Sequence, residues 1–278
     1  MALLINDNLD ALGAEDNLGT VSQEMSTAVN DLSSGLAINS AADNPSGYSI
    51  AESLESEIDG YGAAESNAQT AVSVLQTAQG SINQQESILQ QANTIATQAA
   101  NTTTSASSSA SNADQQEFTS LISELDQIAS STTYAGVNLL DGSSAALTFQ
   151  IGPSDSASDA VVVSLVGTSS TSLAVTGLNV TTVAGAEAAM SSVQAAINTL
   201  SSAAASIGAS QNQIEALSSN VTVAQQNLTS AHANLVDVNV ASETSTFTSL
   251  DILEQSGISI LSQAQQIPQL ALKLIQSL

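Results

Sequence analysis

Both ends of this chain carry apolar residues in a strict alternation of threes and fours. Near the start they fall at Ala11, Ala14, Leu18, Val21, Met25, Ala28 and Leu32, and near the end at Leu253, Gly257, Ile260, Ala264, Ile267, Ala271, Leu274 and Leu278. This spacing places each set on one stripe of an α-helix in coiled-coil register. Terminal helices fray unless something holds them, and an apolar stripe on an isolated helix stays wet. Both ends therefore need partners. The simplest arrangement pairs them with each other and, in an assembly, with neighbouring copies; an intramolecular four-helix bundle that covers every stripe is the alternative.

Two more runs have helical spacing. Ile214, Leu217, Val221, Ala224, Leu228, Ala231 and Leu235 form one, and a looser set around Val72, Leu75, Ile82, Leu89 and Ile95 forms the other. With only three Phe, three Tyr and no Trp in 278 residues, the large side chains that usually anchor a globular interior are scarce. Small aliphatics must do the packing, which predicts a mainly α, elongated antiparallel bundle or coiled coil, a rod in outline.

The middle has a different texture. Thr102 to Asn112 is nearly all Ser, Thr and Ala and reads as a solvated turn between antiparallel helices. After a helix from Glu117 to Ile128, two strand-like runs, Leu147 to Ile151 and Ala160 to Val166, flank Gly152, Pro153 and small polar residues, which is a β-hairpin pattern. Gly167 to Gly185 reads as extended, and helical spacing resumes at about Glu187.

Charge excludes several functions. There are 26 acidic residues against one basic residue, Lys273, a formal net charge of −25. An ordinary domain is roughly 25% charged, so the anomaly is missing Lys and Arg rather than surplus Asp and Glu. Salt adaptation predicts the reverse, enriched acids, and ranks second. Nothing is available to neutralise phosphates, so nucleic acid is excluded as a partner, and an anionic membrane surface is an equally poor one. Base depletion suits an acidic medium: near a pH of about 2 almost all carboxylates are neutral, and only about three positive charges remain. Self-repulsion in a packed polymer would then be small.

No Cys is present, so disulfides, thiol chemistry and Cys-ligated metals are ruled out. The opening MALLINDNLD lacks a basic n-region and an apolar stretch, and no 18-residue apolar run could span a membrane as a helix.

The residues from Leu32 to Leu54, LSSGLAINSAADNPSGYSIAESL, resemble the signature region of bacterial flagellins, and NAQTAVSVLQTAQGSINQQESILQQ from Asn67 continues the likeness. STTYAGVNLLDG, from Ser131 to Gly142, is similar to the family's turn before its hairpin, and ILEQSGISILSQAQQIPQ, from Ile252 to Gln269, to its C-terminal end. The resemblance implies a U-shaped chain with an inner coiled-coil layer, D0, at 1–40 and 236–278, and a helical rod, D1, at 41–235 with its β-hairpin at about 134–185. With only Gly167 to Gly185 after the hairpin, no large outer domain is expected. The polymerisation seam then comprises Leu18, Val21, Met25, Leu32, Leu253, Ile260, Ile267 and Leu274.

The implied function is that of a structural filament subunit for bacterial motility, with no enzymatic activity and no cofactor or metal. The implied place is outside the cell, after type III export without a cleaved signal. Its partners would be copies of itself, the export apparatus, hook-associated and cap proteins, and a chaperone holding Val236 to Leu278. A hook–filament junction protein and a secreted, non-polymerising coiled-coil adhesin are the alternatives.

The chain departs from the family at its bases: Ala37 and Ala42 stand where flagellins carry Arg or Lys, and Asn44 replaces an acid. In Leu89 to Ala100, Gln91 and Asn93 stand where two Arg are usual. In many flagellins that face meets an animal Toll-like receptor, so Leu89, Gln91, Ile95, Gln98 and Glu117 are degenerate receptor-contact positions. Gln91 cannot replace a guanidinium fork, and weak or absent recognition is expected. His232, the only His, suits a structural or solvent-edge place, and the carboxylates of Glu52, Glu55, Glu57 and Asp59 suit a solvated helix face rather than a metal or glycosidic site. Asn101, Asn179, Asn220 and Asn227 begin N-x-S/T sequences, which arise readily by chance in a chain this rich in Asn, Ser and Thr.

Overall fold

A computed structural model describes residues 8–101, 108–143, 146–154 and 156–276; the side chains of residues 108, 157 and 267–276 fall outside the description. Among the described residues five helices carry the chain: α1 (Leu9–Ser34), α2 (Pro45–Ala99), α3 (Ser108–Ser131), α4 (Val183–Val236) and α5 (Val240–Gln276). Between α3 and α4 lie β1 (Thr133–Tyr134), β2 (Val137–Asn138), β3 (Ala146–Gln150) and β4 (Ala160–Ser164). The chain packs as two units, the described residues of 1–56 with 227–278, and residues 57–226.

Local chemistry sets the helix ends. Asn8 caps α1, its side chain accepting from the Ala11 N–H at 3.2 Å, and Gly35 closes it in the left-handed region at φ 78°. A side chain at Gly35 would be strained, which is why glycine follows the Leu32-Ser-Ser run. Asn44 caps α2 through its side chain to the Gly47 N–H at 2.9 Å, and Pro45 at the first helical position lacks only an N–H that would have no partner.

In the 57–226 unit the packing is a heptad built largely from alanine. On α2, Ala64, Ala68, Ala71, Leu75, Ala78, Ile82, Gln85, Leu89, Ala92, Ala96 and Ala99 are buried, alternating four and three without a break. The looser run expected here is thus strict, its large residues separated by small ones and by a fully buried Gln85. On α4, Ala186, Ala189, Val193, Ala196, Leu200, Ala203, Ile207, Ile214 and Val221 continue the same rhythm. On α3, Phe118, Ile122, Leu125 and Ala129 complete the core. Gln85 donates to the carbonyls of Leu125 at 3.3 Å and Thr168 at 3.5 Å, while its Oε1 is buried without a partner.

Several expectations need correction. The proposed turn from Thr102 to Asn112 is helical from Ser108, because Ser111 is buried and its hydroxyl finds the Thr181 carbonyl at 2.8 Å; residues 102–107 lie outside the description. α3 therefore runs from Ser108 to Ser131 rather than Glu117 to Ile128, and α4 begins at Val183 rather than Glu187.

The segment from Gly167 is folded back rather than extended. Ser170 donates its N–H to Asp126 Oδ1 and its hydroxyl to Asp126 Oδ2, both at 2.7 Å. Ala174 and Gly177 turn at φ 55° and 70°, and Leu173, Val175 and Val180 plug the core. Ser and Thr side chains that bond nearby backbone compete with strand ladders, which explains the turns.

The hairpin pairs β3 with β4 in the register Ala146↔Ser164 to Gln150↔Ala160. Val161 and Val163 face inward and Val162 outward, the period of two that the sequence pattern implies. A smaller hairpin, β1 with β2, turns through Ala135 and Gly136, both with positive φ.

Candidate functional site

The 1–56 and 227–278 unit is built on α1 and α5 lying antiparallel. Asn8 Nδ2 donates to the Ala264 carbonyl at 2.8 Å, Gly257 approaches Leu18, and Leu36 bridges Asp237 at the far end. The Ala37 N–H bonds the Val236 carbonyl at 2.7 Å and the Val238 N–H bonds the Gly35 carbonyl at 2.9 Å, tying the chain where α1 and α4 stop.

On α1 the seam lies where the spacing placed it: Ala11, Ala14, Leu18, Val21, Met25, Ala28 and Leu32 are all at least half-buried, and their flanking neighbours Leu12 and Val29 are exposed. On α5 the stripe is offset. The covered stripe is Glu243, Phe247, Leu250, Glu254, Gly257, Leu261 and Ala264, with Asp251 half-buried beside it. Leu253 and Ile260, assigned to the seam by sequence, are 53% and 58% exposed. They form the rim of an apolar groove of about 210 Å³ floored by Ala14, Leu18, Val21 and Gly257. The side chains of Ile267 and Leu274 lie outside the described residues.

At about 100° per residue, Leu253 and Ile260 lie roughly 60–80° to one side of the α5 stripe, Ile258 about 80° to the other, and Ile252 near the back. Ile252 and Ile258 are 58% and 53% exposed. Exposed Ile and Leu side chains thus stand on both flanks of the covered stripe and behind it, interspersed with exposed Ser, Thr and Gln, and α1 covers one face only. Leu9 and Leu12 likewise face away from α5. These four, Ile252, Ile258, Leu9 and Leu12, escaped the sequence reading because it followed one stripe per helix; the signal was the surplus of Ile and Leu that a single stripe cannot hold.

Of the expected receptor-contact positions, Gln91, Gln98 and Glu117 are exposed, whereas Leu89 and Ile95 are buried in the core. Both belong to the buried side of α2, where the aliphatic pattern puts them. His232 is half-buried, and Glu52, Glu55, Glu57 and Asp59 are exposed. Among the described residues no group of three or more His, Asp or Glu could hold a metal ion, and no helix is long and apolar enough to cross a membrane.

Comparison with known proteins places this geometry in context. Residues 5–145 match the family model for the bacterial flagellin N-terminal helical region, and residues 190–275 that for the bacterial flagellin C-terminal helical region. A flagellin of Halalkalibacterium halodurans is 31% identical over 274 residues, covering 99% of this chain and 100% of that protein. Flagellin E of Vibrio cholerae is 33% identical over 179 residues, 64% of this chain but 46% of its own length; the chain thus spans about half of some relatives it matches. The crystal structure of Bacillus cereus flagellin superposes with a TM-score of 0.50 at 28% identity, covering 60% of this chain and 94% of that one. A flagellar hook-associated protein structure from Vibrio parahaemolyticus, at 12% identity and a TM-score of 0.59 over 70% of this chain and 100% of that one, shares the fold.

Proposed function

Because this chain belongs to the bacterial flagellin family, we propose that it is a structural subunit of the flagellar filament, polymerising through its terminal helices and catalysing nothing. The observation that supports the reading is the set of exposed Ile and Leu side chains on α5, Ile252, Leu253, Ile258 and Ile260, and on the outer side of α1, Leu9 and Leu12. Copies stacked in a helical array would cover it. The inner layer is assigned to 1–40 and 236–278 and the rod to 41–235, a division at which α1 and α4 both end and Leu36 bridges Asp237.

Within that reading the subunit works outside the cell, is exported without a cleaved signal, and meets hook-associated and cap proteins at the filament ends. A chaperone covering Val236 to Leu278 keeps the exposed Ile and Leu side chains from premature assembly. Negative-stain microscopy and sedimentation of the purified chain test the central claim: long uniform fibres are expected, short caps would favour a junction protein, and persistent monomers an adhesin. Receptor-expressing cells are expected to respond weakly or not at all, since Gln91 presents an uncharged amide on the exposed face of α2. A dose-response equal to that of an Arg-bearing flagellin would refute this.

A further inference from the structure

Residues 168–180 belong to no helix or strand, yet Leu173, Val175 and Val180 along them are buried in the core of the 57–226 unit. The bonds within the segment are short turns: the Leu173 N–H reaches the Ser169 carbonyl and the Val175 N–H the Ser170 carbonyl, both at 2.9 Å. Side chains of α2 and α3 hold the segment down. Asp126 takes Ser170 through both carboxylate oxygens. Gln115 Nε2 donates to the Leu178 carbonyl at 3.1 Å, and its Oε1 accepts the Val180 N–H at 2.6 Å. Between these two anchors, Val175 and Leu178 share a cleft with Phe118 and Ile122.

The third anchor is Gln85, at the start of the segment. Thr168 is fully buried, and both its N–H and its hydroxyl donate to the Leu140 carbonyl, at 2.8 and 3.3 Å. Its own carbonyl accepts from Gln85 Nε2, the one donor it has among the described residues. The second N–H of that amide goes to the Leu125 carbonyl on α3. The opposite amide rotamer would set the Gln85 oxygen against two carbonyls, so the orientation is fixed by its neighbours.

Helix packing does not account for this residue. Gln85 is fully buried in a stripe whose next members are Ile82 and Leu89, and its Oε1 has no partner. An apolar side chain of the same length would fill the place without an orphaned oxygen. What only the amide supplies is a link joining α2, α3 and Thr168.

We propose that residues 168–180 are a strap that opens and closes as a unit of its own, with Gln85 the positioning residue that sets its closed state. A segment with no ladder, held by a few side chains, lies at the low-stability end of a fold. Its backbone also stores strain: Ala174 is held at φ 55°, where an L side chain crowds its carbonyl, and release relieves it. Opening gives solvent access to the cleft at Phe118 and Ile122 while the long helices stay paired. The strap lies wholly within the 57–226 unit, so the proposal stands or falls independently of filament formation.

Amide hydrogen exchange on the full chain, kept below its polymerisation concentration, tests this. Gln85→Met keeps the side-chain length and removes the amide. Protection of the Thr168, Leu173, Val175 and Val180 amides is expected to fall at least about tenfold, with Leu200 and Ile207 of α4 changing less than about threefold. Leu89→Ala, a pure packing loss on the same stripe, is expected to lower strap and α4 protection in parallel. Ser170→Ala, which frees the strap from Asp126 and leaves Gln85 intact, is expected to speed exchange of the same strap amides as Gln85→Met. Unchanged strap exchange in Gln85→Met would overturn the proposal, as would a parallel loss in strap and α4 like that of Leu89→Ala. A Ser170→Ala effect confined to residues beside position 170 would overturn the strap as a single unit.

Discussion

Replacing Leu253 and Ile260 together by aspartate raises the concentration needed for polymerisation at neutral pH at least about a hundredfold, while the unpolymerised chain keeps its helix content. Both side chains are more than half exposed in the single chain, so the folded subunit loses little when they change. In an array they would be covered, and burying one Leu or Ile is worth roughly 1.5–3 kcal/mol. Two such losses amount to about 3–6 kcal/mol, before the cost of bringing two carboxylates against apolar neighbours, and every 1.4 kcal/mol is about tenfold in an equilibrium constant. Sedimentation over a concentration series measures the shift and circular dichroism checks the fold. Fibres forming at the wild-type concentration would mean that the assembly contact lies elsewhere than on the rim of the α1–α5 groove.

The second large effect is one of stability. Phe118→Ala is expected to cost about 3–5 kcal/mol and to lower the unfolding temperature of the 57–226 unit by on the order of 10 °C. Phe118 is the one fully buried aromatic among the described residues, in a core otherwise made of Ala, Val, Leu and Ile. Calorimetry on the folded, unpolymerised chain reads the change. A loss under about 1 kcal/mol would show that the core collapses around the gap, against the packing described for α2, α3 and α4.

How legible a helix was depended on how many stripes its apolar residues could form. On α1 the choice was single: the seven positions from Ala11 to Leu32 are spaced one way, and the tertiary structure covers those positions. On α2 the periodicity was hidden, since Ala68, Ala71, Ala78, Ala92 and Ala96 look neutral until close packing makes small size their purpose, and Gln85 breaks the apolar pattern without leaving the buried side. The hairpin was legible from its period of two. The folded-back course of Thr168 to Val180 was not, because it depends on Asp126, on a helix more than forty residues earlier, receiving Ser170.

The amino-acid sequence by itself determined that this protein is helical, that its two ends are amphipathic, and that its packing relies on small aliphatics. Those properties follow from local spacing and from composition, which no tertiary contact alters. Which of the apolar positions on α5 face α1 and which stay open was decided only by the tertiary structure. Glu243, Phe247, Leu250, Glu254, Gly257, Leu261 and Ala264 lie in the covered stripe, while Leu253, Ile258 and Ile260 stay exposed. Apolar residues on more than one face of α5 leave no single stripe to choose; register against Asn8, Leu18 and Leu36 makes the choice, and it places two carboxylates in the covered stripe while leaving isoleucines outside.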